Sequence, residues 1–280
     1  MNDEPPDRPA PARSAAANAI EFRNVAVAFT LPDGSRYQAV AATSLSIGPR
    51  EFVAIVGPTG CGKSTLLNVA AGLLAPSAGA TFSLGAPLAG LNQAAGYLLQ
   101  QDALMPWKTA RDNVAIALEV GGTPRREALP RAEQWLKTVG LAAFGNRYPH
   151  QLSGGQKKRV GLAQVLIRDP KILLMDEPFG PLDAQTRQIM GNLLLKLWAA
   201  DRKAVLFITH DLEEAIALAD RVLIMSAGPE ASVIGDYRID LGRPRDASKI
   251  RLLPRFHELR KAIWLQLRDE VLKAYTGAAA

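Results

Sequence analysis

The most specific chemistry in the chain lies in one short loop. Gly57-Pro58-Thr59-Gly60-Cys61-Gly62-Lys63-Ser64-Thr65 satisfies G-x-x-x-x-G-K-[ST] at every position. Glycines there let backbone N–H groups close around an anion where a Cβ would obstruct them. Lys63 brings a point charge to the β- and γ-phosphates of a nucleotide, and the Ser64 hydroxyl suits Mg²⁺. An apolar run, Glu51 to Val56, precedes the loop and a helical pattern follows it. The loop therefore stands where a strand feeds a helix, whose N-terminus adds positive potential. A plain Gly-rich turn needs neither that context nor the lysine–hydroxyl pair. Cys61 reads as a small permissive residue within the loop rather than a nucleophile.

A second signal is independent of the first. Lys171-Ile-Leu-Leu-Met-Asp176-Glu177 is an apolar strand ending in two acids. An aspartate so placed can hold Mg²⁺, and a following glutamate can polarise an attacking water as general base. Two acids at a strand end could equally cap a helix. A third signal, Leu152-Ser153-Gly154-Gly155-Gln156, lies between the other two. A serine and two glycines opening a helix make another anion site.

These groups need elements to position them. The chain from Ile20 alternates as a strand (Ile20, Phe22, Val25, Val27, Phe29), turns at Pro32-Asp33-Gly34-Ser35, and returns near Ala39 to Ile47. Residues 112–145 are helical in texture. Ile172 to Met175 and Val205 to Ile208 read as buried strands, each followed by a helical stretch, near 184–200 and 212–219. Strands alternating with helices predict an α/β fold with a mostly parallel sheet covered on both faces. The expected organisation is a disordered segment at 1–19, a folded domain at 20–242 and a basic amphipathic tail at 243–280. In the tail Phe256, Leu259, Ile263, Leu267 and Val271 recur at helical spacing. That stripe packs on the body, or its bases meet anionic lipid.

Composition bounds the reading. The chain has 280 residues, 48% of them hydrophobic and 21% charged, which is enough for a substantial core. A single cysteine excludes an intrachain disulfide and a multi-Cys zinc site, and suits a reducing compartment. The uncharged stretch from Ser64 to Gln101 is broken by glycines and prolines and is no membrane helix. The N-terminus has no apolar block of the signal-peptide kind. The expectation is a soluble, unexported chain. Its net charge of +6 invites a nucleic-acid guess, but nine bases against four acids lie from Arg243 onward. The body is close to neutral, so no nucleic acid is expected.

The three motifs together resemble those of ABC ATPases, over about residues 20–226. The resemblance implies an α/β P-loop NTPase core with a mostly parallel sheet, an N-terminal antiparallel β region and an inserted α-helical subdomain at about 102–160, within an ATPase domain at 20–242. The resemblance implies ATP and Mg²⁺ as cofactors. It implies that Ser153 to Gln156 meet a nucleotide held by the other subunit of a homodimer. By the same resemblance Gln100 is the loop glutamine that contacts Mg²⁺ or water, with Gln101 as the alternative. Gly180-Pro-Leu-Asp183 resembles the family's D-loop, with Pro181 where alanine or serine is commoner. His210 touches the γ-phosphate, or is merely structural. Phe29 stacks on adenine, with Tyr37 as runner-up and a plain core role also open. The expected metal ligands are Ser64, Gln100 and Asp176, and the catalytic residues Glu177, His210 and Gln100. The basic run Lys157-Lys158-Arg159 and Gln164 depart from the family pattern and are expected to lie away from the chemistry.

Within the family the chain is similar to importer ATPase subunits. Phe179-Gly-Pro-Leu-Asp183, Leu104-Met-Pro-Trp107-Lys, Leu241-Gly-Arg-Pro-Arg245 and the Arg255-Phe and Trp264-Leu pairs resemble the branch handling nitrate, sulfonates and taurine. This implies two copies of a transmembrane permease, an extracytoplasmic substrate-binding protein, and a peripheral place on the cytoplasmic face of the bacterial inner membrane. A soluble ABC ATPase acting on nucleic acid or ribosomes, or an importer subunit for another small organic compound, is the alternative.

Overall fold

The computed structural model describes residues 17–277. Most of the expected disordered segment, residues 1–16, lies outside the described residues. Ala19 is already buried, and its N–H donates to the Ile47 carbonyl at 2.8 Å.

The elements run β1 (Ile20–Thr30), β2 (Arg36–Ile47), β3 (Phe52–Val56), α1 (Lys63–Ala71), β4 (Ala78–Ser83), β5 (Ala86–Pro87) and β6 (Ala95–Leu98). They continue with α2 (Ala110–Glu119), α3 (Arg125–Thr138), α4 (Gly154–Leu166), β7 (Ile172–Asp176), α5 (Ala184–Ala200) and β8 (Ala204–Ile208). Then come α6 (Leu212–Leu218), β9 (Arg221–Met225), β10 (Val233–Arg238) and α7 (Pro254–Gly277). Among the described residues no helix is long and apolar enough to cross a membrane.

Two sheets form. Four antiparallel strands are ordered β2-β1-β4-β5, and six are ordered β10-β9-β3-β8-β7-β6. In the second sheet every pairing is parallel except that of β9 with β10. All residues of β3 and β8 are buried, as strands covered on both faces must be. One core layer joins this sheet to α5, α6 and α7, and holds Phe52, Phe179, Trp198 and Phe207. The other lies between the two sheets and α1. A third cluster, separate from both, binds α2, α3 and α4 together.

Five strands were not read from the sequence: β4, β5, β6, β9 and β10. β4, β5 and β6 lie within the uncharged stretch and are Ala- and Gly-rich, with weak strand propensity. β4 forms by pairing with β1, β5 with β4, and β6 with β7.

The tail is integrated into the fold. Phe256, Leu259, Ile263 and Leu267 are buried in the first core layer. Its bases also have internal partners. The Arg245 guanidinium is almost fully buried, and donates to the carbonyls of Ala219 (2.6 Å), Leu241 (2.9 Å) and Ile239 (3.2 Å). Arg243 bonds Asp220 at 2.7 Å and lies 4.1 Å from the Trp198 ring centre.

Candidate active site

The site is assembled at the carboxyl ends of four adjacent parallel strands, where ligands bind in open α/β sheets. β3 runs into the Gly-rich loop and Lys63. β8 ends just before Thr209 and His210. β7 ends in Asp176, with Glu177 next. β6 leads to Gln100.

The loop is shaped by its glycines. Gly62 caps α1 at φ +92°, and no side chain satisfies the first N–H groups of the helix. A Cβ on Gly62 would sit 2.8 Å from Val40, and one on Gly57 would sit 2.9 Å from the Cys61 sulfur. Lys63 is buried, and its ammonium donates to the carbonyls of Gly57 (2.9 Å) and Pro58 (2.7 Å). Cys61 is buried, and desolvation pushes its thiol above the ordinary range. That disfavours the nucleophilic thiolate.

Ser64 donates its hydroxyl proton to Asp176 Oδ1 at 2.9 Å. Burial raises the Asp176 carboxyl above its ordinary range; the Ser64 bond and Lys63 oppose this, and Glu177 adds to it. A hydroxyl and a carboxylate in contact are hard oxygen donors that fit Mg²⁺. Among the described residues no three His, Cys, Asp or Glu side chains form a metal cluster. Mg²⁺ here would take its remaining ligands from phosphate and water.

Glu177 is the hub. Its Oε2 accepts from Gln100 Nε2 at 3.3 Å and lies 3.0 Å from His210 Nδ1. Its backbone is held at φ +40°, an unfavourable conformation for a residue with a Cβ. The Glu177 N–H donates to the Ile208 carbonyl at 2.9 Å, which fixes the turn at the end of β7. Gly180 closes the corner: a Cβ there would lie 3.7 Å from both Glu177 Oε2 and His210 Cε1. Gln101 is exposed.

The other expected residues sit elsewhere. Ser153 caps α4 in a capping box with Gln156: Gln156 N–H donates to Ser153 Oγ at 3.3 Å, and Ser153 N–H to Gln156 Oε1 at 2.9 Å. Gly154 and Gly155 face Leu182 and Thr186, and a Cβ on Gly155 would reach 2.6 Å from Thr186. Among the described residues no hydrogen bond joins this turn to the Glu177 cluster. Asp183 caps α5, accepting from Thr186 N–H (2.9 Å) and Oγ1 (2.6 Å), which holds its carboxyl below the usual range. Phe29 and Tyr37 are cross-strand partners at the end of the β1–β2 hairpin, both more than one-third exposed. A Cβ on Gly228 would lie 3.7 Å from the Tyr37 hydroxyl and 3.6 Å from the Gly60 carbonyl. Gly228 thus lies between the Tyr37 hydroxyl and the phosphate loop.

One expectation is corrected. Lys158 is not remote from the chemistry. It is buried, pairs with Asp102 at 3.0 Å, and donates to the Gln100 carbonyl. Its spacing carried the signal: Lys158 shares the inner face of α4 with the buried Leu162 and Leu166, at four-residue intervals.

A second group escaped notice. Glu214 is buried on α6 and accepts from the Thr209 hydroxyl at 2.5 Å, while Thr209 Oγ1 accepts from Asp211 N–H at 3.0 Å. The strap sets the turn that carries His210. Desolvation pushes the Glu214 carboxyl up to about 7, with Asp211 reinforcing the shift. The fold binds this proton more tightly than the unfolded chain. Its contribution to stability is therefore fully present below about 4.5 and is lost as pH rises towards 7. Glu214→Gln keeps an acceptor for Thr209 and removes the charge. Relative to the wild type it should gain stability between pH 5 and 8, by up to roughly 3 kcal/mol. Chemical denaturation across that range checks this, and parallel pH profiles would refute it.

Comparison with known proteins agrees with this geometry. The model of the ABC transporter family matches residues 40–180. The chain is 44% identical to an uncharacterized ABC transporter ATP-binding protein of Methanocaldococcus jannaschii, over 86% of this chain and 89% of that one. It is 44% identical to a taurine import ATP-binding protein of Pseudomonas entomophila, over 82% and 90%. A dimeric ATP-binding cassette in a post-hydrolysis state with ADP and Pi superimposes with a TM-score of 0.70 at 31% identity, covering 80% of this chain and all of that one. A Gly-rich phosphate loop, an acid pair on the adjacent strand and this kinship give one conclusion: the chain belongs to the ABC transporter family and is an ATP-binding, ATP-hydrolysing subunit of it.

Proposed function

We propose that the chain powers an importer for a small anion or organic compound, of the aliphatic sulfonate, taurine or nitrate class, which crosses the membrane through a separate permease. The observation that carries the hydrolytic role is the Glu177 carboxylate, held between Gln100 and His210 beside the Ser64–Asp176 pair. Backbone amides from Gly57 to Thr65 and Lys63 bind the phosphates. Ser64, Asp176 and Gln100 would hold Mg²⁺, which when bound neutralises phosphate charge. Glu177 orients the attacking water and accepts its proton at Oε2, and His210 holds that carboxylate in place. Phe29 or Tyr37 offers the adenine a stacking face.

Ser153 to Gln156 and Asp183 act on the nucleotide of a second copy, so the working unit is a homodimer. Two things support this: the separation of the Ser153 turn from the Glu177 cluster within one chain, and the dimeric state of the similar cassettes. Two permease copies, an extracytoplasmic substrate-binding protein and a peripheral position on the cytoplasmic face of the bacterial inner membrane complete the reading.

The substrate class is supported by relatives named as taurine import ATP-binding proteins, from Pseudomonas entomophila at 44% identity and Roseobacter denitrificans at 37%. Deleting the gene in its host should abolish growth on one of taurine, an alkanesulfonate or nitrate as sole sulfur or nitrogen source. Wild-type chain should restore growth and Glu177→Gln should not. Undiminished growth on all three refutes the substrate class.

A further inference from the structure

Lys158 sits five residues after the Ser153 cap, on the buried face of α4. Its side chain is 4% exposed. An ammonium buried to that degree is tolerated only while paired and hydrogen-bonded. Two groups are bonded to it here: the Asp102 carboxylate at 3.0 Å and the Gln100 carbonyl. Both belong to the loop that follows β6. The side chain of the same Gln100 reaches Glu177 at 3.3 Å. One buried lysine therefore links the Ser153 helix to the backbone of the residue that touches Glu177.

We propose that Lys158 is a positioning residue for the hydrolytic centre: it grips the Gln100 backbone, so the Gln100 amide meets Glu177 only while α4 is seated against this loop. The proposal rests on the reading of Gln100 as a residue of the ATPase site. Displacing α4 without displacing the loop would strand a buried cation and a carboxylate, and the loop follows the helix instead. Placement of the Ser153 turn and placement of Gln100 become one event. A glutamine at 158 could still donate to the Gln100 carbonyl but would give up the ion pair with Asp102.

The test is a double-mutant cycle on the full-length chain, with steady-state ATPase kinetics and thermal unfolding measured for each protein. Lys158→Met should lower kcat about tenfold while KM for ATP moves less than about threefold. Lys158→Gln should recover most of the loss. Lys158→Met in a Gln100→Ala background should lower kcat no further than Gln100→Ala alone. Should Lys158→Met fail to fold, Lys158→Ala carries the same cycle, with Lys158→Gln as the variant expected to stay near wild type. The proposal is overturned by an unchanged kcat with only a lowered Tm, by a rise in KM matching the fall in kcat, or by additive losses in the double variant. Additive losses beside an impaired Gln100→Ala sink the Lys158 role alone. A Gln100→Ala protein with wild-type kcat sinks the Gln100 reading and this proposal together.

Discussion

Glu177→Gln should bind ATP with wild-type affinity, accumulate as a stable dimer in its presence, and turn over about a thousandfold more slowly. Gln and Glu have nearly the same shape, so the Gln100 and His210 contacts have a partner after the change. What is lost is the proton acceptor. The phosphate loop and Lys63 are untouched, which is why affinity should survive while chemistry fails. If ATP favours the closed dimer and hydrolysis removes that preference, a protein that binds but cannot hydrolyse stays closed. Size-exclusion chromatography with ATP and a phosphate-release assay report the two halves separately. Turnover near the wild-type rate would remove Glu177 from the catalytic role, whatever the dimer does.

The second large effect is a recovery. A Lys63→Ala chain and a Ser153→Arg chain should each be almost inactive alone, the first for want of the phosphate-binding ammonium and the second because a long cation fills the turn. Mixed, they form heterodimers in which one composite site takes Lys63 from one chain and Ser153 from the other. Equal mixing with independent sites should restore roughly a quarter of the wild-type rate per chain, since half the dimers are mixed and each has one intact site. No recovery would mean that Ser153 serves its own chain's nucleotide or none. The geometry within one chain makes the recovery the expected result, because Ser153 bonds to Gln156 and not to the Glu177 cluster.

Legibility in the sequence followed the range of the forces involved. The Gly57–Thr65 loop is a local device whose residues act at fixed short spacing, so its letters suffice. The Asp176–Glu177 pair is nearly as local, being the end of one buried strand. Gln100 is different. Only pairing of β6 with β7 brings it beside Glu177, and in the sequence only its six-residue spacing to Pro106 sets it apart from the adjacent Gln101. Lys158 was misjudged because a run of three basic residues reads as a solvated face, while burial of the middle one depends on Asp102, more than fifty residues away. The tail's apolar stripe was legible from its spacing, and Phe256, Leu259, Ile263 and Leu267 pack on the body. The partners of its bases were not: Arg245 donates to backbone carbonyls and Arg243 to Asp220 beside the Trp198 ring. Thr209 and Glu214 lie close in the chain, but the strong upward shift of the carboxyl comes from the packing of α6 against the sheet.

Four chemical groups hang from the ends of β3, β8, β7 and β6, and that has a consequence for how the machine can vary. Hydrogen-bonded strands repeat at about 4.8 Å, and the ladder resists both stretching and compression. The sheet is therefore a graduated ruler. The ends of β3, β8, β7 and β6 are successive marks, and four marks span roughly 14 Å. No substitution within a strand can slide one group towards another by a fraction of a mark. Fine adjustment of this engine has to come from the pliant parts, the loops and whatever second chain closes on them, while the scale beneath stays rigid.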